Sequence, residues 1–366
     1  MTVKIGAYIL PNRIFAAPMA GIADRPFRRL CRALGAGYTV GEMATADPRL
    51  RASRKTSRRL CSEGEGEPVA IQLAGADPQM LADAACYAAD RGAQIIDINM
   101  GCPVKKVCNA AAGSALLRDE ALVGRILDAV VRAVGVPVTL KLRTGWSPQD
   151  RNAARVGRMA ETAGIQLLVL HGRTRACGFG GSAEYDTIGE VKSRVRIPVV
   201  ANGDIDSPEK ARHVLNYTGA DAVMIGRAAQ ARPWIFREID HFLRNGTKLP
   251  AIRIAELRPL LLQFLDEHYS HHGELLGARI ARKRIHFLAR SLRGGRELCE
   301  RINAMDDCMQ QRRALDEFLL ESAARHPFFE YIDAAEDLLL EEEQRARMRE
   351  RASLTQQTTV LPVGPQ

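Results

Sequence analysis

The chain has 366 residues, 46% hydrophobic and 26% charged, a globular composition with room for one large domain and a smaller one. No apolar run reaches the ~20 residues of a membrane span. The opening MTVKIGAYILPNR carries no basic n-region, long apolar stretch or small-residue cleavage site, so a cytoplasmic protein with no membrane association is expected. A net charge of +9 permits an anionic partner without identifying one.

Short, nearly continuous apolar segments then follow in chain order. RIFAAPMA (from Arg13), GYTVGEM (from Gly37), PVAIQLA (from Pro68) and QIIDINMG (from Gln94) come first. PVTLKLRTG (from Pro137), LLVLHGRT (from Leu167), PVVANGDI (from Pro198) and DAVMIGRA (from Asp221) complete the set. Each reads as a parallel strand covered on both faces. Between them lie amphipathic helical patterns such as ADRPFRRLCRAL, MLADAACYAADRG, EALVGRILDAVVRAVG and SPEKARHVLNYTG, several ending in the glycine of a helix C-cap. Eight strands alternating with helices predict an α/β fold, a (β/α)8 TIM barrel. A doubly wound sheet is the runner-up. No GxGxxG follows any strand, which argues against a Rossmann nucleotide domain.

After Leu249-Pro250 the pattern is helical only. The expected organisation is a barrel over residues 1–248, a C-terminal all-helical domain over 251–345 and a loose tail over 346–366. The acidic stretch EYIDAAEDLLLEEE (residues 330–343) reads as a solvated helix. The eight cysteines form no CxxC pair and have no histidine at zinc spacing, so no metal is expected and free thiols are the simplest reading. Only Cys102, between Gly101 and Pro103 at the end of an apolar strand and ahead of Lys105 and Lys106, has a context that overturns it.

In a barrel, the C-terminal strand ends build the active site. Here they are Pro18-Met19-Ala20, Glu42-Met43, Gln72, Asn99 to Cys102, Lys141 to Arg143, His171 to Arg173, Asn202-Gly203-Asp204 and Gly226-Arg227. Polar residues at seven of these eight ends argue for a large polar ligand across the mouth. Glycines after strands seven and eight, with Arg227 beside them, suit phosphate, against the plain reading of tight turns. Lys141 is either a snorkelling lysine or a cation set against an electron-rich cofactor ring. Gln72 and Asn202 offer the amide groups that the pyrimidine edge of a flavin requires. His171 is open between base, cofactor contact and substrate contact.

APMAGIADRPFR, EMATA, INMGCPVKKV, GSALLRD, TLKLRTGW, HGRTR, VVANGDI and VMIGRAA together resemble the tRNA-dihydrouridine synthases, in particular their bacterial B-type branch, over roughly residues 5–320. The resemblance implies an FMN-dependent barrel joined to a helical tRNA-binding domain. It carries FMN contacts over to Pro18, Met19, Ala20, Gln72, Lys141, His171, Asn202, Gly203, Asp204, Gly226 and Arg227. It also implies NADPH as reductant, a uridine of the D-loop as target and Cys102 as the acid that protonates C5 while a hydride reaches C6. A small thiol with a pKa near ~8.5 suits that task.

Two basic runs suit an RNA backbone: RLRASRKTSRR (residues 49–59) and RIARKRIHFLARSLRGGRELCER (residues 279–301). Lys105, Lys106, Arg282 and Lys283 are the expected RNA contacts, with both lysines of the Cys102 loop pointing at phosphates. Arg284 stands where the family motif usually has histidine. A monomer is expected. Two other readings are kept: an FMN barrel acting on a small pyrimidine such as dihydroorotate, and a flavin- or RNA-binding regulator without turnover.

Overall fold

The computed structural model describes residues 2–61 and 63–332. Eight parallel strands lie at the predicted segments. They are β1 (Ile14–Ala16), β2 (Tyr38–Thr39, resuming at Ala44–Thr45), β3 (Ala70–Ala74) and β4 (Ile95–Met100), then β5 (Val138–Arg143), β6 (Leu168–His171), β7 (Val199–Asn202) and β8 (Ala222–Ile225). Each pairs with its neighbours in chain order, and β8 returns to pair with β1. The break in β2 is spanned by a bridge from Val40 to Ala70 and by the pairing of Ala44–Thr45 with Leu73–Ala74, which closes the barrel. This is the expected TIM-barrel architecture with helices outside and after it.

The helices between strands begin and end on local signals. Asp77 and Ser207 cap Pro78–Ala89 and Pro208–Thr218 by accepting the amides of Met80 and Lys210, and proline occupies the first turn of each. Gly164 and Gly219 end their helices in the left-handed conformation, at φ of 97° and 66°. Apolar residues of the strand interiors, among them Phe15, Tyr38, Ile95, Val169, Val200 and Met224, fill the barrel. Below them, a hairpin pairing Lys4–Ile5 with Tyr8–Ile9 turns at Gly6 (φ 57°) and buries Val3, Ile5 and Leu10 against the same cluster. That plug was not expected from the sequence.

Among the described residues, four helices follow the barrel: Ile254–His272, Glu274–Ala289, Gly295–Asn303 and Cys308–Arg325. The first lies against the barrel helix Arg25–Ala33, with Phe27 edge-on to Phe264 and Arg29 paired to Glu267 at 3.2 Å. The acidic stretch beyond residue 332, the end of the 251–345 unit and the 346–366 tail lie outside the described residues. Among the described residues, no helix is long and apolar enough to cross a membrane.

Candidate active site

The barrel mouth is lined by a hydrogen-bonded network that begins with Asp97, the one charge within the apolar β4. Gln72 Nε2 donates to Asp97 Oδ2 at 2.7 Å, and Thr139 Oγ1 donates to Oδ1 at 2.6 Å. Burial raises the pKa of this carboxyl, while those two bonds and Lys141 work the other way. Asn99 Nδ2 donates to Gln72 Oε1 at 2.8 Å, so each end of the Gln72 amide has one protein partner.

Parallel register sets Lys141 of β5 beside Asn99 of β4, and Arg143 beside His171 of β6. Lys141 Nζ donates to Asn202 Oδ1 at 3.0 Å, and Asn202 Nδ2 donates to the carbonyl of Met224 at 2.8 Å. Lys141 is 8% exposed, and burial with the nearby Arg143 charge lowers its pKa to about 8. Arg143 is fully enclosed; its fork donates to the carbonyls of Gly101, Thr174 and Gly178 at 2.8, 2.9 and 2.7 Å. His171 is pushed down to about 2 by burial and by Lys141, Arg143 and Arg173, so its ring is neutral at physiological pH. Of the three roles left open for it, a neutral hydrogen-bonding ring suits a cofactor or substrate contact, and so low a pKa makes it a weak base.

The Cys102 loop is anchored at both ends. Asn99 Oδ1 accepts the amides of Gly101 and Cys102 at 3.3 and 3.1 Å, and Ser114 Oγ donates to the Cys102 carbonyl at 2.8 Å. Gly113 (φ 64°) must be glycine, because a Cβ there would lie 2.9 Å from that same carbonyl. Burial raises the Cys102 thiol pKa, and the cations acting against it are Arg143 and Lys141. Lys105 and Lys106 are exposed on the short helix Lys105–Asn109 that follows.

On the opposite rim, Arg173 grips Asp204 through Nη1 at 3.0 Å and Nη2 at 2.6 Å. Arg227 Nη2 donates to Asp204 Oδ1 at 2.6 Å, and the Ala183 amide to Oδ2 at 2.8 Å. Burial disfavours the Asp204 charge, but these bonds outweigh it and hold its pKa below the usual value. The Asp204 carboxylate thus has protein partners on both oxygens. Gly203 has φ of 127°, and a Cβ on it would meet Ala183 Cβ at 2.8 Å. Gly226 is less constrained, its nearest neighbours being Ala17 Cβ at 3.8 Å and Met19 Sδ at 3.9 Å. Pro18 and Met19 are half-buried and Ala20 exposed at the end of β1. Exposed Phe179 lies under the guanidinium groups of Arg143 and Arg227, 5.4 and 5.7 Å from its ring centre.

Much of the expected RNA-facing charge is engaged within the protein. Arg282 Nη2 donates to Asp306 at 2.5 Å and to the Met305 carbonyl at 3.0 Å. Lys283 is exposed beside Phe287. Arg284 is buried and bonds Asp24 and the Ile22 carbonyl. In the first basic run, Arg59 pairs with Glu42 at 2.9 Å and Arg58 donates to the His272 carbonyl at 3.2 Å, while Arg54 and Lys55 are exposed.

Asn99, Arg143 and Arg173 organise the mouth; the sequence places them at strand ends but assigns them no role. The period-two rule held the signal, since TLKLR sets Lys141 and Arg143 on one face and HGR does the same for His171 and Arg173. A separate pocket of about 650 Å³ lies at the opposite barrel end, near Asn12, Arg13, Arg212 and Arg244.

Three comparisons bear on this geometry. The family profile described as Dihydrouridine synthase matches residues 15–324. A Pseudomonas aeruginosa protein named tRNA-dihydrouridine synthase B is 59% identical over 87% of this chain and 96% of its own length. A Vibrio vulnificus protein of the same name is 52% identical over 86% of this chain and 97% of its own. Among solved structures, a 2-naphthoyl-CoA reductase complex superposes with a TM-score of 0.50 at 13% identity, covering 65% of this chain and 51% of that one, a likeness of fold.

Proposed function

The chain belongs to the dihydrouridine synthase family, and on that premise we propose that it is a tRNA-dihydrouridine synthase, an FMN-dependent oxidoreductase driven by NADPH. It reduces the C5=C6 bond of a uridine in the D-loop to 5,6-dihydrouridine. The observation that carries this reading is the juxtaposition, on adjacent strand ends, of a thiol held protonated by burial and a buried lysine.

The donor set fits a flavin mononucleotide. Lys141, Gln72 and Asn202 present a cation and amides to its polar ring edge, with His171 as a neutral neighbour. Pro18, Met19 and Ala20, just after β1, would border the ring. The backbone at Gly203, Asp204 and Gly226, with the Arg227 fork, would hold the phosphate. A flavin held by these residues would supply hydride chemistry at C6.

Cys102 then gives its Sγ proton to C5. Burial keeps that proton on sulfur at neutral pH, and Asn99 fixes the loop that aims it. Drawing the uridine out of its stack costs a few kcal/mol, on the order of one unstacked base. Phosphate contacts from Lys105, Lys106, Lys283, Arg54 and Lys55 offset this, and Arg282 joins them by exchanging Asp306 for a phosphate.

The test is incubation of unmodified tRNA with the protein, FMN and NADPH, followed by nucleoside analysis. Dihydrouridine is expected in tRNA. NADPH consumption with orotate as acceptor, and none with tRNA, would overturn the reading in favour of a small-molecule reductase.

A further inference from the structure

One cluster at the junction of barrel and helical unit is left unused by this chemistry. Asp24, His268 and His272 bring three metal-ligand atoms within 4.8 Å of one another, and fully buried His268 sets Nδ1 3.5 Å from Asp24 Oδ2 without a well-formed hydrogen bond on either ring nitrogen. A dication there would meet Arg284, whose Nη2 already lies 2.8 Å from the same Asp24 Oδ2. Two fixed cations against one buried carboxylate is an unfavourable balance, so the cluster does not make a metal centre. With Arg284 it closes as a buried pair: burial disfavours the Asp24 charge, but His268, His272 and Arg284 together hold its pKa well below the usual range.

The pair has a second connection. The same Arg284 Nη2 donates to the carbonyl of Ile22 at 2.6 Å. Ile22 and Ala23 both donate their amides to the Met19 carbonyl, at 2.9 and 2.8 Å. Asp24 in turn caps the helix Arg25–Ala33 by accepting the Phe27 amide at 3.2 Å. A short turn, residues 19–24, is therefore held at one end where β1 meets the barrel mouth. At the other end it is held by a guanidinium from the helix Glu274–Ala289, some 260 residues away in sequence. The other charged or titratable groups near this guanidinium are His268, His272, Arg28 and Cys31. Arg28 is paired with Glu65, so Arg284 is the cation that neutralises Asp24.

We propose that Arg284 is a positioning residue: it ties the turn that presents Met19 at the active site to the helical unit, so that seating RNA on that unit and fixing the flavin-side loop are one event. This deepens the synthase reading and rests on it for its catalytic part. The structural part stands separately, so the two can fail separately.

The experiment compares Arg284→Gln, Arg284→Lys and Arg284→His with the wild type. Hydrogen exchange at the Ile22 and Ala23 amides, which needs neither RNA nor flavin, is expected to accelerate at least about tenfold in Arg284→Gln, reporting local opening of the turn. With tRNA, kcat per bound flavin should fall by about 10- to 100-fold, as displaced reacting groups do, with KM for tRNA changed much less. Arg284→Lys should recover part of kcat. Arg284→His should recover it at pH 6, where imidazolium pairs with Asp24, and lose it by pH 8, while the wild type shows no such loss. Unchanged exchange at Ile22 and Ala23 in Arg284→Gln overturns the proposal whatever the acceptor proves to be. So does an activity loss fully accounted for by lost folded protein, with kcat per bound flavin unaltered.

Discussion

Replacing Lys141 with methionine should stabilise the protein while disabling it. Lys141 is 8% exposed, and its pKa falls from 10.5 to about 8, chiefly through burial and then through Arg143. A depression of that size means that keeping the ammonium charged in the folded state costs about 3 kcal/mol at neutral pH. Methionine has a similar stem and no charge to desolvate. The substitution also removes a hydrogen bond to Asn202 at 3.0 Å, worth about 1 kcal/mol. The net expectation for the flavin-free protein at pH 7 is a gain of about 2 kcal/mol in urea unfolding. The sign with pH follows from the same shift. Below pH 8 both folded and unfolded chains hold the proton, so the whole penalty is present. Between about 8 and 10.5 the unfolded chain holds a proton that the folded chain has released, so wild-type stability rises relative to the variant. The stability gap between the two proteins should therefore narrow over that window. A variant less stable than wild type at pH 7, or a gap that stays flat from pH 7 to 10.5, would refute the argument that Lys141 is a strained charge kept for function.

The thiols should separate by reactivity. Cys177 is exposed, and its hydrogen bond with Thr174 Oγ1 at 3.0 Å lowers its pKa, whereas burial raises that of Cys102. Iodoacetamide at pH 7.5 followed by peptide mapping should label Cys177 well before Cys102; the reverse order would remove the basis for a protonated acid. The two phosphate-side glycines should also differ. Gly203→Ala combines φ of 127° with a 2.8 Å clash against Ala183 and should cost about 2 kcal/mol or more in unfolding free energy. Gly226→Ala meets nothing closer than 3.8 Å and should fold normally, with its effect confined to weaker FMN retention in equilibrium dialysis.

The barrel was legible because each strand is a short, mostly apolar run: β7 and β8 carry nothing polar before their C-terminal ends, while Gln72 interrupts β3 and Asp97 and Asn99 interrupt β4. The break in β2 and the hairpin under the barrel were not, since two-residue strands leave no periodicity to read. At the site, Lys141, Asn202, Gly203 and Arg227 could be picked out from strand-end position alone. Their internal partners could not: Asp97 joins Gln72 and Thr139 from separate strands, and Arg173 reaches Asp204 across 31 residues. The basic runs were the least informative. Arg59 and Arg284 look like free charge in the sequence because Glu42 and Asp24, which neutralise them, stand elsewhere in the chain. A charge run reports composition, while availability to RNA depends on which carboxylates the fold brings alongside.

The central claim is that one half-buried thiol, Cys102, protonates the base while the rest of the mouth holds flavin and RNA. Single-turnover reduction of unmodified tRNA by the NADPH-reduced, FMN-loaded Cys102→Ala variant tests it most directly. The account predicts normal flavin loading, normal reduction by NADPH and almost no dihydrouridine, against one equivalent per flavin in the wild type. Full dihydrouridine formation by the variant at the wild-type rate would contradict it and move the proton source away from Cys102.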